Sequence, residues 1–210
     1  MDKKLLLMGC ALGAALTLPA ENLIKNGNFE EEAKNWIVPS WIKHAAKLQF
    51  DGSDMPGAGR AALKLVAADG KLPILYQQFK FVPGVTSYKV SFSAKIKDFN
   101  NWGWFIIHVE SEKTRKRYFG QTVGAGAGTN NSRPWKTYSK TISIPAEEGG
   151  NPARVTIVFG GKTTGTAWID DLIIEPVAGT PPVKEKKTTA PDKTPAKTTA
   201  DVKKKNKPHS

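Results

Sequence analysis

The sequence predicts an all-β chain, an antiparallel β-sandwich or jelly roll, and three observations carry that expectation. Short apolar-polar alternations recur through the middle of the chain, with Gly, Pro, Asn and Asp clusters between them. No long segment shows a 3.6-residue apolar stripe. The roughly 155 residues between the two ends suffice for one self-contained core.

The elements read in order as follows. Residues 1–20 are expected to be a secretory signal: Lys3 and Lys4 precede the apolar run "LLLMGCALGAALTL", and the small Ala20 offers a cleavage site. The run falls short of the ~20 residues of a spanning helix, so no transmembrane span remains after cleavage. This places the chain as secreted, extracellular or at the cell surface. "LMGC" leaves open a periplasmic or lipid-anchored protein held through Cys10. Cys10 is the sole cysteine. Its removal with the signal excludes both a disulfide scaffold and a cysteine-ligated metal.

Residues 21–177 form the expected folded unit. "NFEEEAKNW" can make one short turn, and "AALKLVAADG" and "PILYQQFKFVPG" read as the first strands. The second places Leu75, Gln77, Phe79 and Phe81 on one face, opposite Ile74, Tyr76, Gln78 and Lys80. "SYKVSFSAKIKD" alternates almost without error, with Tyr88, Val90, Phe92, Ala94 and Ile96 inward. "WFIIHVES" turns Phe105, Ile107 and Val109 inward and Trp104, Ile106, His108 and Glu110 outward. "YSKTISI" and "ARVTIVFGG" follow, the latter with Val155, Ile157 and Phe159 inward. The last strand, "TGTAWIDDLIIEPV", carries two adjacent carboxylates, Asp170 and Asp171. Alternation puts them on opposite faces, and a covered carboxylate needs a partner. Backbone N–H groups, a lysine such as Lys25, or a cation would serve.

Residues 178–210 hold nine lysines against three acids, with repeated Pro, Thr and Ala and no aromatic residue. Such a segment cannot bury enough apolar surface to fold and reads as a disordered basic tail. Half of the formal charge of +12 lies here, so the unit at 21–177 is only mildly basic. The tail is either a solvated spacer or a weak tether to an anionic cell-wall polymer. Nucleic acid is the less favoured partner for an exported chain.

The order "NLIKNGNFEEEAKNW", "GRAALKLV", "LYQQFKFVPGVTSYKVSFSAKIK", "WKTYSKTISIPA", "GTAWIDDLIIEP" resembles carbohydrate-binding modules of the families 4, 9 and 22 type, over residues 22–176. The resemblance implies a galactose-binding-like jelly roll, a polysaccharide or glycan partner on its concave face, and no catalysis. It also implies a structural calcium ion held by Glu30, Asp170 and Asp171, chemistry that suits a hard cation with oxygen ligands.

A sugar site needs flat rings for pyranose C–H faces and planar polar groups for hydroxyls. Residues facing away from the core supply the candidates: Trp104 with His108 and Glu110, Tyr76 with Gln78, and Trp102, Tyr118 and Arg133 from flanking loops. Trp36, Trp135, Trp168, Tyr88 and Tyr138 read as packing residues. Three scattered histidines exclude a recognisable transition-metal motif. Neither a facing carboxylate pair nor a nucleophile motif is evident. Two other functions fit the same sequence: a structural or adhesion protein with a protein ligand, and tail-mediated binding to an anionic polymer or nucleic acid.

Overall fold

The computed structural model describes residues 21–40, 48–53, 55–57, 59–67, 74–100, 103–124, 131–160 and 163–177. The signal with Cys10, the basic tail and Trp102 lie outside these residues. Nine strands form two antiparallel sheets: β1 (Gln49–Asp51), β2 (Ala62–Ala67), β3 (Ile74–Lys80), β4 (Ser87–Phe99), β5 (Trp104–Ser111), β6 (Arg117–Val123), β7 (Asn131–Ser143), β8 (Pro152–Gly160) and β9 (Gly165–Pro176). One sheet has the order β1-β2-β9-β4-β7 and the other β3-β8-β5-β6. This is the expected sandwich, and among the described residues the only helical element is a 3-10 turn at Ala146–Glu148.

The alternations decide which side chains meet between the sheets. Val90, Phe92, Ile96, Phe105, Ile107, Val109, Val155, Ile157 and Phe159 are all buried, as their phase requires. Phe105 stacks on Phe159 at 5.4 Å, and Phe99 closes the cluster at 5.8 Å from Phe159. Full burial of each such ring contributes about 1.5–3 kcal/mol. Tyr88 is buried, and Tyr138 stacks on Phe92 at 5.0 Å.

Strands β1 and β6 and the first half of β7 were not evident from the alternation. In β6, Gly120 and the polar Gln121 and Thr122 dilute the pattern. In β7, an edge strand, most residues are exposed and no apolar alternation is demanded.

Side-chain amides bind the N-terminal segment to this scaffold. Asn22 Oδ1 accepts the N–H groups of Ile24 and Ile174, and its Nδ2 donates to the Leu172 carbonyl. On the other side Gln77 imitates a peptide unit. Its Oε1 accepts the Lys25 N–H at 2.8 Å and its Nε2 donates to the Lys25 carbonyl at 2.9 Å. The turn that follows is built on Asn26, whose φ of 51° suits asparagine better than a residue without a short polar side chain. Its Oδ1 accepts the Glu31 N–H, and its Nδ2 donates to the carbonyls of Glu32 and Lys34. The turn buries Phe29 against Trp36, ring centroids 5.2 Å apart. Trp36 is therefore the packing residue it was expected to be.

Replacing Asn26 with Ala removes three hydrogen bonds and leaves a positive φ on alanine. Equilibrium urea unfolding is expected to show a loss of about 1–3 kcal/mol.

Candidate functional site

The outward residues of the four-stranded sheet fall into cross-strand rows. Ile74, Val158, Ile106 and Thr122 form one, and Tyr76, Thr156, His108 and Gly120 the next. The third is Gln78, Arg154, Glu110 and Arg117. Trp104 stands at one end of this face, paired with Gly160. A Cβ on Gly160 would lie 1.9 Å from Trp104 Cζ2 and 2.0 Å from Cη2. The indole thus lies across the bare glycine backbone, half exposed. Its backbone is fixed by Thr163, whose hydroxyl accepts the Trp104 N–H at 3.1 Å.

Tyr76, also half exposed, is held from both sides. Its backbone pairs with Ile37 through two hydrogen bonds of 2.8 and 3.0 Å, and Arg154 stacks 5.3 Å above its ring. Four residues along β8 and two strand spacings separate Trp104 from Tyr76, a diagonal of about 16 Å.

The polar groups beside Tyr76 are unusual. Thr156 Oγ1, His108 Nδ1 and Arg154 Nε are buried without hydrogen-bond partners. Thr156 and His108 are directly opposed across β8 and β5. A buried polar atom left unpaired costs on the order of 1–3 kcal/mol, which an enclosed water would recover. Burial, reinforced by Arg117 and by Arg154 against the opposing Glu110, holds the His108 imidazole down to about 4, so it is neutral at pH 7. Burial alone would raise the Glu110 carboxyl. The hydrogen bond and charge of Arg154, with His108 and Arg117, outweigh it and keep Glu110 below the usual carboxylate range. Gln78 donates its Nε2 to both Glu112 oxygens at 2.9 and 3.0 Å.

A cavity of about 640 Å³ lies not at Trp104 but along the outer edge of β3. Lys25, Ile37, Gln78, Lys80, Glu112 and Pro152 are among its lining residues. It meets the face at Gln78.

Five expected site residues thus share this face: Trp104, Tyr76, Gln78, His108 and Glu110. Two do not. Tyr118 was expected to approach from a loop, but it sits in β6 at a register shift, where Val109 pairs with Phe119 and Glu110 with Arg117. The extra residue turns inward. Its ring meets Phe81 edge-on at 5.9 Å, and its hydroxyl donates to buried Glu148. Burial and the Glu148 charge push that hydroxyl up to about 12. Arg133 lies on β7 in the opposite sheet, its Nε donating to Asn131.

Sequence reasoning missed Arg154, Thr156 and Gly160. The phase of "ARVTIVFGG" already points them outward, but only the pairing of β8 between β3 and β5 brings them to this site.

The two aspartates of β9 separate at a bulge. Ser91 pairs with Ile173 but Ser93 with Asp170, so Asp171 and Leu172 together oppose Phe92, and Asp171 takes a φ of 52°. Asp171 is exposed, whereas Asp170 is 3% exposed. Asp170 accepts the Asp171 N–H at 2.8 Å and has no ion-pair partner among the described residues; Lys25 lies instead at the β3 groove. Burial, with the charges of Asp171 and Glu30, pushes Asp170 up to about 7 despite that hydrogen bond. Glu30 lies beside it: a Cβ on Gly59 would approach Glu30 Oε1 to 2.8 Å and Asp170 Oδ2 to 3.8 Å. Glu30 is engaged by Arg60, its Oε1 accepting the Arg60 N–H and its Oε2 lying 3.3 Å from Arg60 Nε, so Asp170 is the carboxylate whose charge a hard cation would offset. Among the described residues, no three acid, His or Cys side chains gather to hold one. The ring of Trp168, next to this pair, lies between Lys64 and Lys95 at 5.5 and 5.0 Å.

No family model and no curated protein matches this chain. Solved structures do. A family 61 carbohydrate-binding module, TmCBM61, in complex with β-1,4-galactotriose aligns with a TM-score of 0.54 at 21% identity, covering 75% of this chain and all of that one. A family 16 carbohydrate-binding module gives 0.52 at 18% identity, with 73% and 99% covered. A cyclase from Fischerella sp. TAU gives 0.56 at 12% identity, with 77% and 100% covered. These likenesses establish the jelly-roll fold of such modules, in agreement with the resemblance found in the sequence.

Gly160→Ala should drive the Trp104 indole off the sheet with the core intact. Near-UV circular dichroism and tryptophan emission are expected to change, with a loss of about 1–3 kcal/mol in stability. The Asp170 carboxyl, at about 7 when folded and 3.8 when free, binds more protons in the folded than in the unfolded state between those values. Without metal, stability therefore falls as pH rises from about 4 to 7. Asp170→Asn should flatten that slope in thermal unfolding with a chelator present.

Proposed function

We propose that this chain is a secreted, non-catalytic module that binds polysaccharide across the outer face of the four-stranded sheet. The observation that carries the reading is the half-buried Trp104 indole laid over Gly160, with Tyr76 about 16 Å away on the same face of the sheet. The rings offer flat faces to sugar C–H patches, and the exposed Gln78 amide with the part-exposed Arg154 guanidinium suits hydroxyls. The family 61 module complexed with galactotriose lends the class of ligand, not its identity.

The absence of catalysis is supported by the state of the carboxylates. Glu110 is held ionised by Arg154 rather than poised as an acid. Asp170, the one raised carboxyl, is buried on the other sheet. A structural calcium ion would take Glu30 and Asp170, completed by carbonyls and waters, and would neutralise the covered carboxylate.

Retardation of the full chain on polysaccharide gels tests the proposal. Trp104→Ala is expected to weaken binding at least about tenfold and Tyr76→Ala somewhat less, both measured at a temperature where circular dichroism shows the variants fully folded. Unaltered retardation of both variants would remove this face as the site. Calcium should raise the melting temperature of the wild type and not that of Asp170→Asn.

A further inference from the structure

We infer that the polysaccharide is acidic, and that the groove along β3 receives one of its carboxylate-bearing residues. This rests on the glycan-binding reading above and adds the charge class of the ligand.

The groove meets the ring-bearing face at Gln78, so a chain lying over Tyr76 continues into it. Two ammonium groups line it. Lys25 comes from the N-terminal segment, with its backbone clamped by both ends of the Gln77 amide. Lys80 ends β3 opposite Pro152. Both side chains are exposed, and neither has an ion-pair partner among the described residues. Lysines on a fixed frame with no internal anion are available to an external one.

The edge of β3 adds donors. Tyr76 turns its N–H and C=O outward to Ile37. By the two-residue alternation of an antiparallel strand, the N–H groups of Gln78 and Lys80 face the same way. There they can donate to carboxylate oxygens, as backbone amides do in many anion sites.

The acids nearby are already engaged. Glu110 is paired with Arg154, and both oxygens of Glu112 accept from Gln78. Glu112 nevertheless keeps its charge at the groove wall, so it opposes an anionic ligand and sets a sign for the test. Arg117, exposed beside Glu110, and the turn residues Lys113, Arg115 and Lys116 leave the rim of this end of the sheet basic.

The experiment uses the full chain, so that the basic tail is common to every variant. Binding is measured to polygalacturonate and to its methyl ester, the same backbone without charge. The wild type is expected to bind the acid form at least about tenfold more tightly. Lys25→Gln with Lys80→Gln should remove most of that preference and leave the ester unaffected, whereas Glu112→Gln should strengthen binding to the acid form. Dextran sulfate reports on the tail and should be retained equally by all variants.

Equal binding of the two polymers, or an equal loss on dextran sulfate in the double variant, overturns the inference. So does tighter binding of an acidic peptide, which would mark strand addition at the edge of β3. A Trp104-dependent retention of the ester alone would sink the acidic-ligand inference and keep the glycan reading. No Trp104-dependent retention of either polymer, nor of any neutral polysaccharide, would sink both.

Discussion

Burial of one phase of every strand between two sheets is the constraint on which the rest of this structure depends. Phe92, Phe99, Phe105 and Phe159 must face inward to remove their rings from water, and the residues between them are thereby turned outward. Trp104, Tyr76, His108, Glu110, Thr156 and Arg154 share a face for that reason alone. The site is the complement of the core. Its side chains are held on strands rather than loops, so their spacing is set by strand geometry and not by binding.

Within that frame, special backbone positions make local exceptions. Gly160 lacks the atom that would press into the face of the Trp104 indole, and this lets a large ring lie flat on a sheet. At Asp171 the bulge adds one residue to β9 and takes a left-handed φ, so the two carboxylates part without disturbing the inward phase of Ile169, Leu172 and Ile174. In β6 the corresponding irregularity turns Tyr118 inward onto Phe81 and Glu148. The first exception creates a flat aromatic platform, the second a concealed acid, and the third takes Tyr118 away from the face that carries Trp104 and Tyr76.

The two ends of the four-stranded sheet differ in character. Near Trp104 the surface is apolar and flat, with Ile106 and Val158 beside the ring. Near Gln78 it is polar and charged, and it opens into the groove between the N-terminal segment and β3. That segment would be free to peel away if only its own backbone held it. Gln77, a buried polar residue in a strand otherwise facing the core with Leu75 and Phe79, holds it through paired amide bonds. A polar side chain in the inward phase thus positions a groove wall.

Alternation read from residues 74–81, 87–98, 104–111 and 153–160 correctly separated inward from outward side chains, because burial imposes a period of two that survives in the letters. The N-terminal turn, the closing strand and the jelly-roll class were legible for the same reason. Strand β6, the β9 bulge and the union of Arg154, Thr156 and Gly160 with Trp104 and Tyr76 were not. The chain by itself determined which faces are wet and which are dry. Only the tertiary structure decided which strands stand side by side, and so which wet residues meet, because pairing between distant strands depends on contacts that no local pattern encodes.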